Sequence, residues 1–432
     1  MKAVVFTLGC KVNGVESGSL IAGLRERGWE VSDELVFADL YILNTCAVTG
    51  EAEKKSRQAI ARVRAVNPHA AIVVCGCAAE KAPEAFSARE GVFLVTGARQ
   101  KSKILELLDG MGTMRFPLQK DENASFEGQS APVSIDDTDT AYDDMLPPVS
   151  LKTRAFVKIQ DGCNNFCSYC IIPYLRGRSR SRTIESAAAE ILSCGAEEAV
   201  ITGIDISSYR DGEAGLAELL ETVKDAKCRI RLGSLEVGVI NEKLLESAQR
   251  VRDFAPQFHL SLQSGADAVL KKMNRHYTRE QYLEKVSLIR RYFPSAAITT
   301  DIIVGFPTET EADFADTLDL ARRAGFSHIH CFPYSRRTGT NAAKLKDLAP
   351  QIKKERLHRL MALAEELRKK YESGFIGKTL ELVPEEQKDG YTVGYSENYI
   401  RLYVKGEVLS RRKVRAVGMF SDGMLAECTD EV

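Results

Sequence analysis

Between residues 154 and 334 the sequence repeats one local pattern six times, and this repeat limits the possible folds more than any other feature. Each repeat is a short apolar run with strand character, followed by a stretch with helical periodicity. The apolar runs are AFVKIQ, EEAVITG, CRIRLGSL, QFHLSLQ, AITTDIIVG and SHIHCFPY. Because repeated βα units pair their strands in parallel, we expect an open, partial (βα)6 barrel over residues 150–374. Its chemistry should lie at the carboxyl ends of the strands.

An earlier alternation of the same kind predicts a smaller parallel α/β domain over residues 1–118. Its strand-like runs are KAVVFTLGC, ADLYILNTCAV, AAIVVCGCA and VFLVTG. Three of these runs end at Cys10, Cys46 and Cys77, and the carboxyl ends of parallel strands form the ligand crevice of an open sheet. Cys75 adds an ambiguity, because residues two apart on a strand point to the same face, so that Cys75 is an alternative to Cys77.

Residues 119–149 are predicted to form an acidic linker. The stretch 121–148 holds eight acidic residues and neither lysine nor arginine, and no helical or strand periodicity persists through it. Such a composition favours a solvated segment. An ordered surface loop is the alternative.

A long charged helix, at about 350–375, precedes a region of short alternating strands and turn residues, which predicts a compact β-module over 375–432. Basic residues of the module are interleaved with Tyr395, Tyr399 and Tyr403, a pattern typical of a nucleic-acid platform. A solvated basic strand on a packing module is the alternative. The basic residues that we assign to RNA contact are Arg401, Arg411, Arg412 and Lys413.

Composition restricts the function classes. The 432 residues carry a net charge of -1, which gives no overall attraction for nucleic acid, so that any basic surface must be local. We find no leader pattern and no run of about 18 uncharged apolar residues, so we expect a cytoplasmic protein without a membrane partner. In that compartment the eleven cysteines are expected to stay reduced for metal binding or catalysis.

The strongest motif is DGCNNFCSYC, in which Cys163, Cys167 and Cys170 have the spacing CxxxCxxC. A structural zinc site uses four ligands, whereas three thiolates can hold a [4Fe–4S] cluster and leave one iron open. An open iron can chelate a small molecule through an amine and a carboxylate. The alternative is three packed or zinc-binding cysteines.

This motif, at the end of the first strand of such a barrel, resembles the radical S-adenosylmethionine superfamily. The resemblance implies that the open iron binds the methionine end of S-adenosylmethionine, which is cleaved to a deoxyadenosyl radical. The cofactor then supplies the difficult chemistry.

The N-terminal segments GCKVN, NTCAVT and CGCAAE resemble those of the methylthiotransferases within that superfamily, and the likeness covers essentially the whole chain. It implies a second [4Fe–4S] cluster on Cys10, Cys46 and Cys77, a C-terminal TRAM module, and the use of two S-adenosylmethionine molecules. Cys75 is then interpreted as a core residue. Gly14 and the segment GCAAE differ from the usual family pattern, but neither difference changes a proposed ligand.

Residues at the ends of the barrel strands are assigned to the cofactor pocket. Glycines allow the backbone to approach the cofactor, and the polar side chains are expected to bind its ribose. Ordinary βα turns would explain the same residue types. The assigned residues are Gly203, Ser234, Glu236, Gln263 and Gly305.

The segment LRGRSRSR has arginine at every second position. If it is extended, its arginines share one face and form a row that contacts RNA phosphates or clamps a carboxylate. A solvated or salt-bridged row is the alternative. The residues are Arg176, Arg178, Arg180 and Arg182.

The segments DGCNNFC, HLSLQSG and MNRHYT are most similar to those of the tRNA enzymes that act on N6-threonylcarbamoyladenosine. This implies methylthiolation of C2 of that base, next to the anticodon, with the anticodon stem-loop of tRNA as partner, an external electron donor such as flavodoxin or ferredoxin, and a sulfur donor. The alternatives are enzymes for isopentenyladenosine in tRNA or for an aspartate of a ribosomal protein. A non-catalytic iron–sulfur RNA-binding protein is an alternative of another class.

The histidines are scattered along the sequence and do not suggest a catalytic constellation. His328 and His330 alternate on a predicted strand, where they either face the barrel pocket or lie in the core or at its rim.

Overall fold

The computed structural model describes residues 1–110, 130–135, 141–148 and 153–429. These residues form two compact units. The first unit is drawn from 1–151, 160–166 and 170–182, and the second from 152–159, 167–169 and 183–432.

The strands are β1 (Lys2–Thr7), β2 (Glu30–Ser32), β3 (Leu40–Thr45), β4 (Ala71–Gly76), β5 (Val92–Thr96), β6 (Val133–Ser134), β7 (Arg154–Asp161), β8 (Arg180–Ser181), β9 (Glu198–Gly203), β10 (Arg229–Leu232), β11 (Ser234–Leu235), β12 (Gln257–Leu260), β13 (Ala297–Val304), β14 (His328–Pro333), β15 (Thr379–Lys388), β16 (Tyr391–Tyr395), β17 (Arg401–Lys405), β18 (Arg412–Phe420) and β19 (Gly423–Cys428).

The α-helices are α1 (Lys11–Glu26), α2 (Gly50–Val66), α3 (Cys77–Lys81), α4 (Glu84–Ser87), α5 (Lys103–Gly110), α6 (Ile172–Arg176), α7 (Ile184–Ser193), α8 (Leu216–Thr222), α9 (Glu242–Arg250), α10 (Asp267–Lys272), α11 (Arg279–Tyr292), α12 (Glu311–Ala324) and α13 (Pro350–Ser373). Short 3₁₀ turns occur at Ile206–Ser208, Val237–Val239 and Ala342–Lys344.

The first unit is built on a parallel sheet with strand order β2-β1-β3-β4-β5-β6. Every residue of the central strands β3 and β4 is buried. Strands covered on both faces read as continuous apolar runs rather than as alternating ones, which explains the sequences LYILNT and AIVVCG. The predicted N-terminal parallel α/β domain is therefore confirmed.

Part of the predicted acidic linker forms a short strand. Val133 and Ser134 pair in parallel with Val95 and Thr96, and so add the edge strand β6 to the sheet. Both residues are exposed, so the largely solvated linker stays a prediction, and the strand left no readable periodicity because it has only two residues. Residues 119–129, 136–140 and 149 of the predicted linker lie outside the described residues.

The second unit contains the predicted barrel strands. β9 and β10 are parallel, as are β11, β12, β13 and β14 in that order, and helices cover them. The predicted strand CRIRLGSL is divided into β10 and β11 at Gly233, where a Cβ atom would lie 2.9 Å from the carbonyl oxygen of Ile201. An open (βα)6 arrangement is confirmed.

The C-terminal β-module is a closed barrel with strand order β15-β16-β17-β19-β18. All its neighbours are antiparallel except β17 and β19. Its core is made of aliphatic side chains such as Leu382, Leu402 and Val414, each fully buried. The charged helix α13 precedes it, close to the predicted bounds.

Among the described residues, no helix combines the length and the apolar character that a membrane crossing requires.

Candidate cluster and cofactor sites

The three cysteines assigned to a second cluster meet at one edge of the first unit's sheet. Cys10 follows β1 and precedes α1, Cys46 follows β3, and Cys77 is the first residue of α3 after β4. Burial raises the pKa of the Cys46 thiol to about 11, and the neighbouring thiols of Cys77 and Cys10 add to the rise. The chain therefore gathers three thiols from three strand ends, as the sequence predicts.

Two glycines make this gathering possible. Gly9 has a φ of +105°, and a Cβ there would lie 2.7 Å from the Sγ atom of Cys46. Gly76 has a φ of +93°, and its Cβ would lie 2.4 Å from the carbonyl oxygen of Thr45. Only glycine allows both this backbone conformation and such close approach.

The donor set fits an iron–sulfur cluster. Three cysteine thiolates are one ligand short of a structural zinc site, which uses four, whereas three thiolates can hold a [4Fe–4S] cluster and leave one iron open.

The ambiguity over Cys75 is resolved by the end of β4. Gly76 ends the strand and Cys77 begins a helix, so the two thiols do not share a strand face as the sequence interpretation assumed. Cys75 is fully buried in the apolar cluster that holds Leu20 and Ile104, whereas Cys77 packs with a separate cluster that holds Ile60 and other residues. The structure therefore places Cys75 in the core.

Arg176 corrects one prediction about RNA contact. The segment is not a single extended row, because Ile172–Arg176 is a helix. The Arg176 side chain is fully buried and donates to the carboxylates of Glu16, at 2.8 and 3.1 Å, and Asp161, at 3.0 and 3.1 Å. It also donates to the side-chain oxygen of Asn13, at 2.7 Å. A guanidinium so enclosed cannot reach a phosphate.

The enclosed charge of Arg176 acts on a thiol instead. Burial raises the pKa of Cys77, and the positive charge and hydrogen bond of Arg176 oppose that rise. Arg176 thus favours the thiolate form of Cys77, which is the form that binds iron.

The other three arginines of the segment differ in exposure. Arg178 is exposed, and its guanidinium lies 4.6 Å from the centroid of the Phe166 ring. Arg180 donates to the carbonyl oxygen of Arg176 at 2.8 Å, and Arg182 pairs with Asp144 at 3.1 Å. The expected common face is absent because these side chains have separate partners.

The loop between β7 and α6 carries the cysteines of the CxxxCxxC motif. It begins at Gly162, with a φ of +72°, where a Cβ would lie 2.0 Å from the carbonyl oxygen of Arg178. The Sγ atom of Cys163 accepts from the backbone N–H of Asn165 at 3.4 Å. In the second unit, the Sγ atom of Cys167 accepts from Arg275 at 3.5 Å. Thiols that face N–H donors fit an anionic cluster.

Arg275 also holds a predicted cofactor residue. Its two terminal nitrogens donate to the two carboxylate oxygens of Glu236, at 2.5 and 2.6 Å, and one of them donates to the carbonyl oxygen of Ser261 at 2.8 Å. The sequence interpretation used MNRHYT only as a family likeness and missed this role. The sequence around an arginine that follows a βα unit does not indicate which carboxylate the arginine will pair with.

The remaining cofactor residues lie at strand ends as predicted, while their role stays a prediction. Gly203 ends β9, and Ser234 begins β11 with its side chain exposed. Gln263 has a φ of +68°, and its backbone N–H donates to Asp301. Gly305 has a φ of +72°, and a Cβ there would lie 2.3 Å from the side chain of Lys353, so packing alone explains this glycine.

Several predicted RNA-binding residues of the C-terminal module pair with carboxylates of the module itself or of the preceding barrel region. Arg401 pairs with Glu386 and Asp422, at 2.9 and 2.7 Å, and Arg411 pairs with Asp253 and Glu381. Arg412 and Lys413 are exposed at the start of β18.

Two of the tyrosines proposed as a nucleic-acid platform also contact other side chains of the protein. The rings of Tyr395 and Tyr399 stack on each other with centroids 4.5 Å apart, and the guanidinium of Arg154 lies over both. These rings pack the module against the rest of the second unit.

One cluster of possible ligands was not expected from the sequence. His259, Asp301 and His330 bring their ligand atoms within 4.8 Å of one another on three neighbouring strands. The sequence suggested only scattered histidines and did not predict this cluster, because strand register is needed to show which residues of neighbouring strands lie side by side.

Comparison with known proteins identifies the family. The family model described as the radical SAM superfamily matches residues 157–321, and the one described as uncharacterized protein family UPF0004 matches residues 2–97. The threonylcarbamoyladenosine tRNA methylthiotransferase MtaB of Bacillus subtilis is 38% identical, over 94% of this chain and 91% of that protein. The chain belongs to the radical SAM tRNA methylthiotransferases.

Other members of this methylthiotransferase family show similar likeness. The MtaB protein of Chlamydia pneumoniae is 39% identical over 90% of this chain and 88% of its own length. A tRNA-2-methylthio-N(6)-dimethylallyladenosine synthase of Clostridium botulinum is 35% identical over 88% of this chain and 85% of its own. The protein is therefore an enzyme, and its radical SAM membership implies one [4Fe–4S] cluster and S-adenosylmethionine.

A solved structure supports the fold. The radical S-adenosylmethionine methyltransferase TsrM of Kitasatospora setae, with cobalamin and a [4Fe–4S] cluster bound, has a TM-score of 0.59 at 14% identity, covering 79% of this chain and 77% of that one. The likeness shows that this methylthiotransferase shares the radical SAM fold.

Proposed function

We propose that this enzyme methylthiolates C2 of N6-threonylcarbamoyladenosine next to the anticodon of tRNA, with two S-adenosylmethionine molecules per product. The observation that best supports this proposal is the sequence identity of 38%, over 94% of the chain, to a protein named for that activity. The likeness to a dimethylallyladenosine synthase is 35% over 88% of the chain.

Cys163, Cys167 and Cys170 would hold the cluster that binds S-adenosylmethionine. When bound, this cluster and its cofactor supply the electron and the radical that activate an aromatic C–H bond, which has no acidic proton to remove. Arg275 orients the thiolate of Cys167 and fixes the carboxylate of Glu236 at the end of β11, so that the cofactor pocket is formed before substrate binds.

Cys10, Cys46 and Cys77 would hold a second [4Fe–4S] cluster. The proposal is supported by their origin at three strand ends and by the adjacent charge of Arg176. With three protein ligands one iron stays open, and there a sulfur atom from an external donor can be presented. An external electron donor such as flavodoxin or ferredoxin is also required. A tRNA substrate implies a cytoplasmic location.

The two cluster assignments are tested by iron content. After anaerobic reconstitution the enzyme should hold about eight irons per chain, as two [4Fe–4S] clusters require. Changing Cys10, Cys46 and Cys77 to alanine should leave about four irons and retain reductive cleavage of S-adenosylmethionine. Changing Cys163, Cys167 and Cys170 should also leave about four but abolish cleavage. Cleavage that survives the second change would disprove the radical site.

The substrate is tested with nucleosides from bulk tRNA. A strain lacking the enzyme should lose the methylthio form of threonylcarbamoyladenosine and accumulate its precursor, as measured by mass spectrometry, and complementation should restore it. Complementation with Cys167→Ala should not. Loss of methylthio-isopentenyladenosine instead would show that the enzyme acts on isopentenyladenosine. An unchanged nucleoside profile would favour a protein substrate, such as an aspartate of a ribosomal protein.

We further propose that the C-terminal barrel is a TRAM module that contacts tRNA through the exposed Arg412 and Lys413. RNA contact by Arg178, which is also exposed, stays a separate prediction. Each phosphate contact contributes roughly one unit to the slope of log affinity against log salt. Arg412→Ala with Lys413→Ala should therefore lower this slope by about two units for an anticodon stem-loop. The exposed Arg291 on α11 gives a control, and Arg291→Ala should leave the slope unchanged.

A non-catalytic RNA-binding protein predicts the same salt dependence but no cofactor cleavage. The iron and cleavage measurements therefore separate that alternative from the enzyme.

A further inference from the structure

Three adjacent strands of the second unit present polar side chains on one face. In the parallel pairing of β12, β13 and β14, Thr299 lies opposite both His259 and His328, and Asp301 lies opposite His330. Residues two apart on a strand share a face. His259, Asp301 and His330 therefore project together, and their ligand atoms all lie within 4.8 Å of one another.

One buried atom of this group makes no hydrogen bond. The Nε2 atom of His259 is buried and has no hydrogen-bond partner among the described residues, although it lies 3.3 Å from a carboxylate oxygen of Asp301. A buried polar atom without a partner is costly, and native structures rarely leave one unexplained. The atom faces a carboxylate and a second imidazole, so a cation held between the three groups would give it a ligand bond.

The other ring nitrogen of His259 is supported from behind. Nδ1 lies 3.1 Å from the hydroxyl oxygen of Thr299, and the side-chain amide of Gln257 donates to the same hydroxyl at 2.9 Å. Histidine ligands of metals characteristically engage the nitrogen that does not bind the metal in a contact of this kind, which fixes the ring orientation. His259 is thus held with Nε2 directed at Asp301.

We propose that His259, Asp301 and His330 form a mononuclear site for a divalent first-row transition metal, separate from both cysteine sets. Two imidazoles and one carboxylate suit Zn²⁺, Co²⁺ or Fe²⁺. At metal distances of about 2.1 Å, tetrahedral ligand atoms stand about 3.4 Å apart. The site therefore closes by small side-chain rotations, for which the exposed His330 has room. Three protein ligands leave a position for water or another oxygen ligand.

The test uses full-length enzyme with its clusters loaded, dialysed anaerobically against Co²⁺. Wild type should bind about one Co²⁺ per chain more than the double variant His259→Ala with His330→Ala, because three-ligand sites lose the ion when two ligands are removed. His358→Ala, which removes an exposed histidine of α13, should bind like wild type. Any Co²⁺ that the cysteines bind is the same in every sample and cancels when the bound amounts are subtracted.

A second variant protects the test against misfolding. Asp301→Asn keeps the shape of the side chain and removes its charge, and it should weaken this Co²⁺ binding at least about ten-fold. Iron content and thermal unfolding equal to those of wild type would show that the variants are folded. Equal Co²⁺ binding by wild type and the double variant, or unchanged affinity in Asp301→Asn, would overturn the proposal.

Discussion

Arg275 and Glu236 form a bidentate ion pair in which each terminal nitrogen of the guanidinium donates to a different carboxylate oxygen. Arg275 is only 9% exposed. Burial raises the pKa of Glu236, and the charge of Arg275 opposes the rise. Because the same guanidinium donates to the thiol of Cys167, the pair connects a proposed cluster ligand to the end of β11.

Replacing Arg275 with leucine should destabilise the second unit. The change leaves the carboxylate of Glu236, whose side chain is 27% exposed, without its partner, and losing hydrogen bonds to a charged group costs about 1.5–3 kcal/mol of unfolding free energy. Without Arg275 the pKa of Glu236 should rise further, so that the deficit should shrink as the pH falls and the carboxyl becomes protonated. Urea denaturation at several pH values measures both effects. The double change to leucine at Arg275 and Glu236 is the control, and a loss as large as in the single variant would contradict the explanation.

Arg176 and Arg178 stand two residues apart but should respond differently to substitution. Arg176→Met removes a fully buried charge shared by Glu16 and Asp161, and should lower the unfolding free energy of the first unit by about 3–5 kcal/mol. Arg178→Ala removes an exposed side chain and should cost about 1 kcal/mol or less. Denaturation curves of both variants make the comparison, and equal losses would show that burial does not govern this segment.

Gly9 should be needed for loading of the proposed second cluster. In Gly9→Ala the new Cβ would meet the thiol of Cys46 and the backbone would be strained at a positive φ. Reconstituted iron should therefore fall from about eight to about four atoms per chain. Gly14→Ala is the matched control, since nothing lies within 4 Å of its Cβ and Gly14 is exposed on helix α1. This control should keep its iron and gain up to about 1 kcal/mol of stability.

Cys194 should be the thiol whose reactivity changes near neutral pH. Its Sγ atom lies 3.5 Å from that of Cys228, and the hydrogen bond between them lowers the pKa of Cys194 to about 7. A thiol with a lowered pKa is a reactive thiolate above that pH and becomes protonated below it. Alkylation of Cys194, mapped by peptide mass spectrometry, should therefore fall as the pH drops through 7. Cys228→Ala should raise the pKa and slow labelling at pH 7 several-fold, and unchanged labelling would exclude this cause.

The position of the proposed cluster ligands in the fold could be predicted from the sequence. The cysteines of DGCNNFCSYC are close in sequence, so that their spacing alone restricts what they bind. Cys10, Cys46 and Cys77 are far apart, yet each follows a recognisable strand, and parallel strands end at a common edge. Local periodicity therefore sufficed to place them.

The predictions that failed depended on where a helix or strand begins and on the partner of each charge. Alternating arginines predicted one face, but helix α6 includes Arg176 and turns it into the interior. Its partner Glu16 lies 160 residues earlier in the chain. The arginines of the C-terminal module similarly differ in whether a carboxylate lies beside them.

The sequence by itself determined the α/β class and the six βα units, because strand and helix periods are local properties, and it supplied the six cysteines that are proposed as cluster ligands. Only the tertiary structure decided that Arg176 is buried, that Cys75 and Cys77 lie in different clusters, and that His259, Asp301 and His330 converge. These outcomes depend on strand register and on contacts between residues distant in sequence. Neither leaves a pattern within the short windows from which secondary structure is inferred.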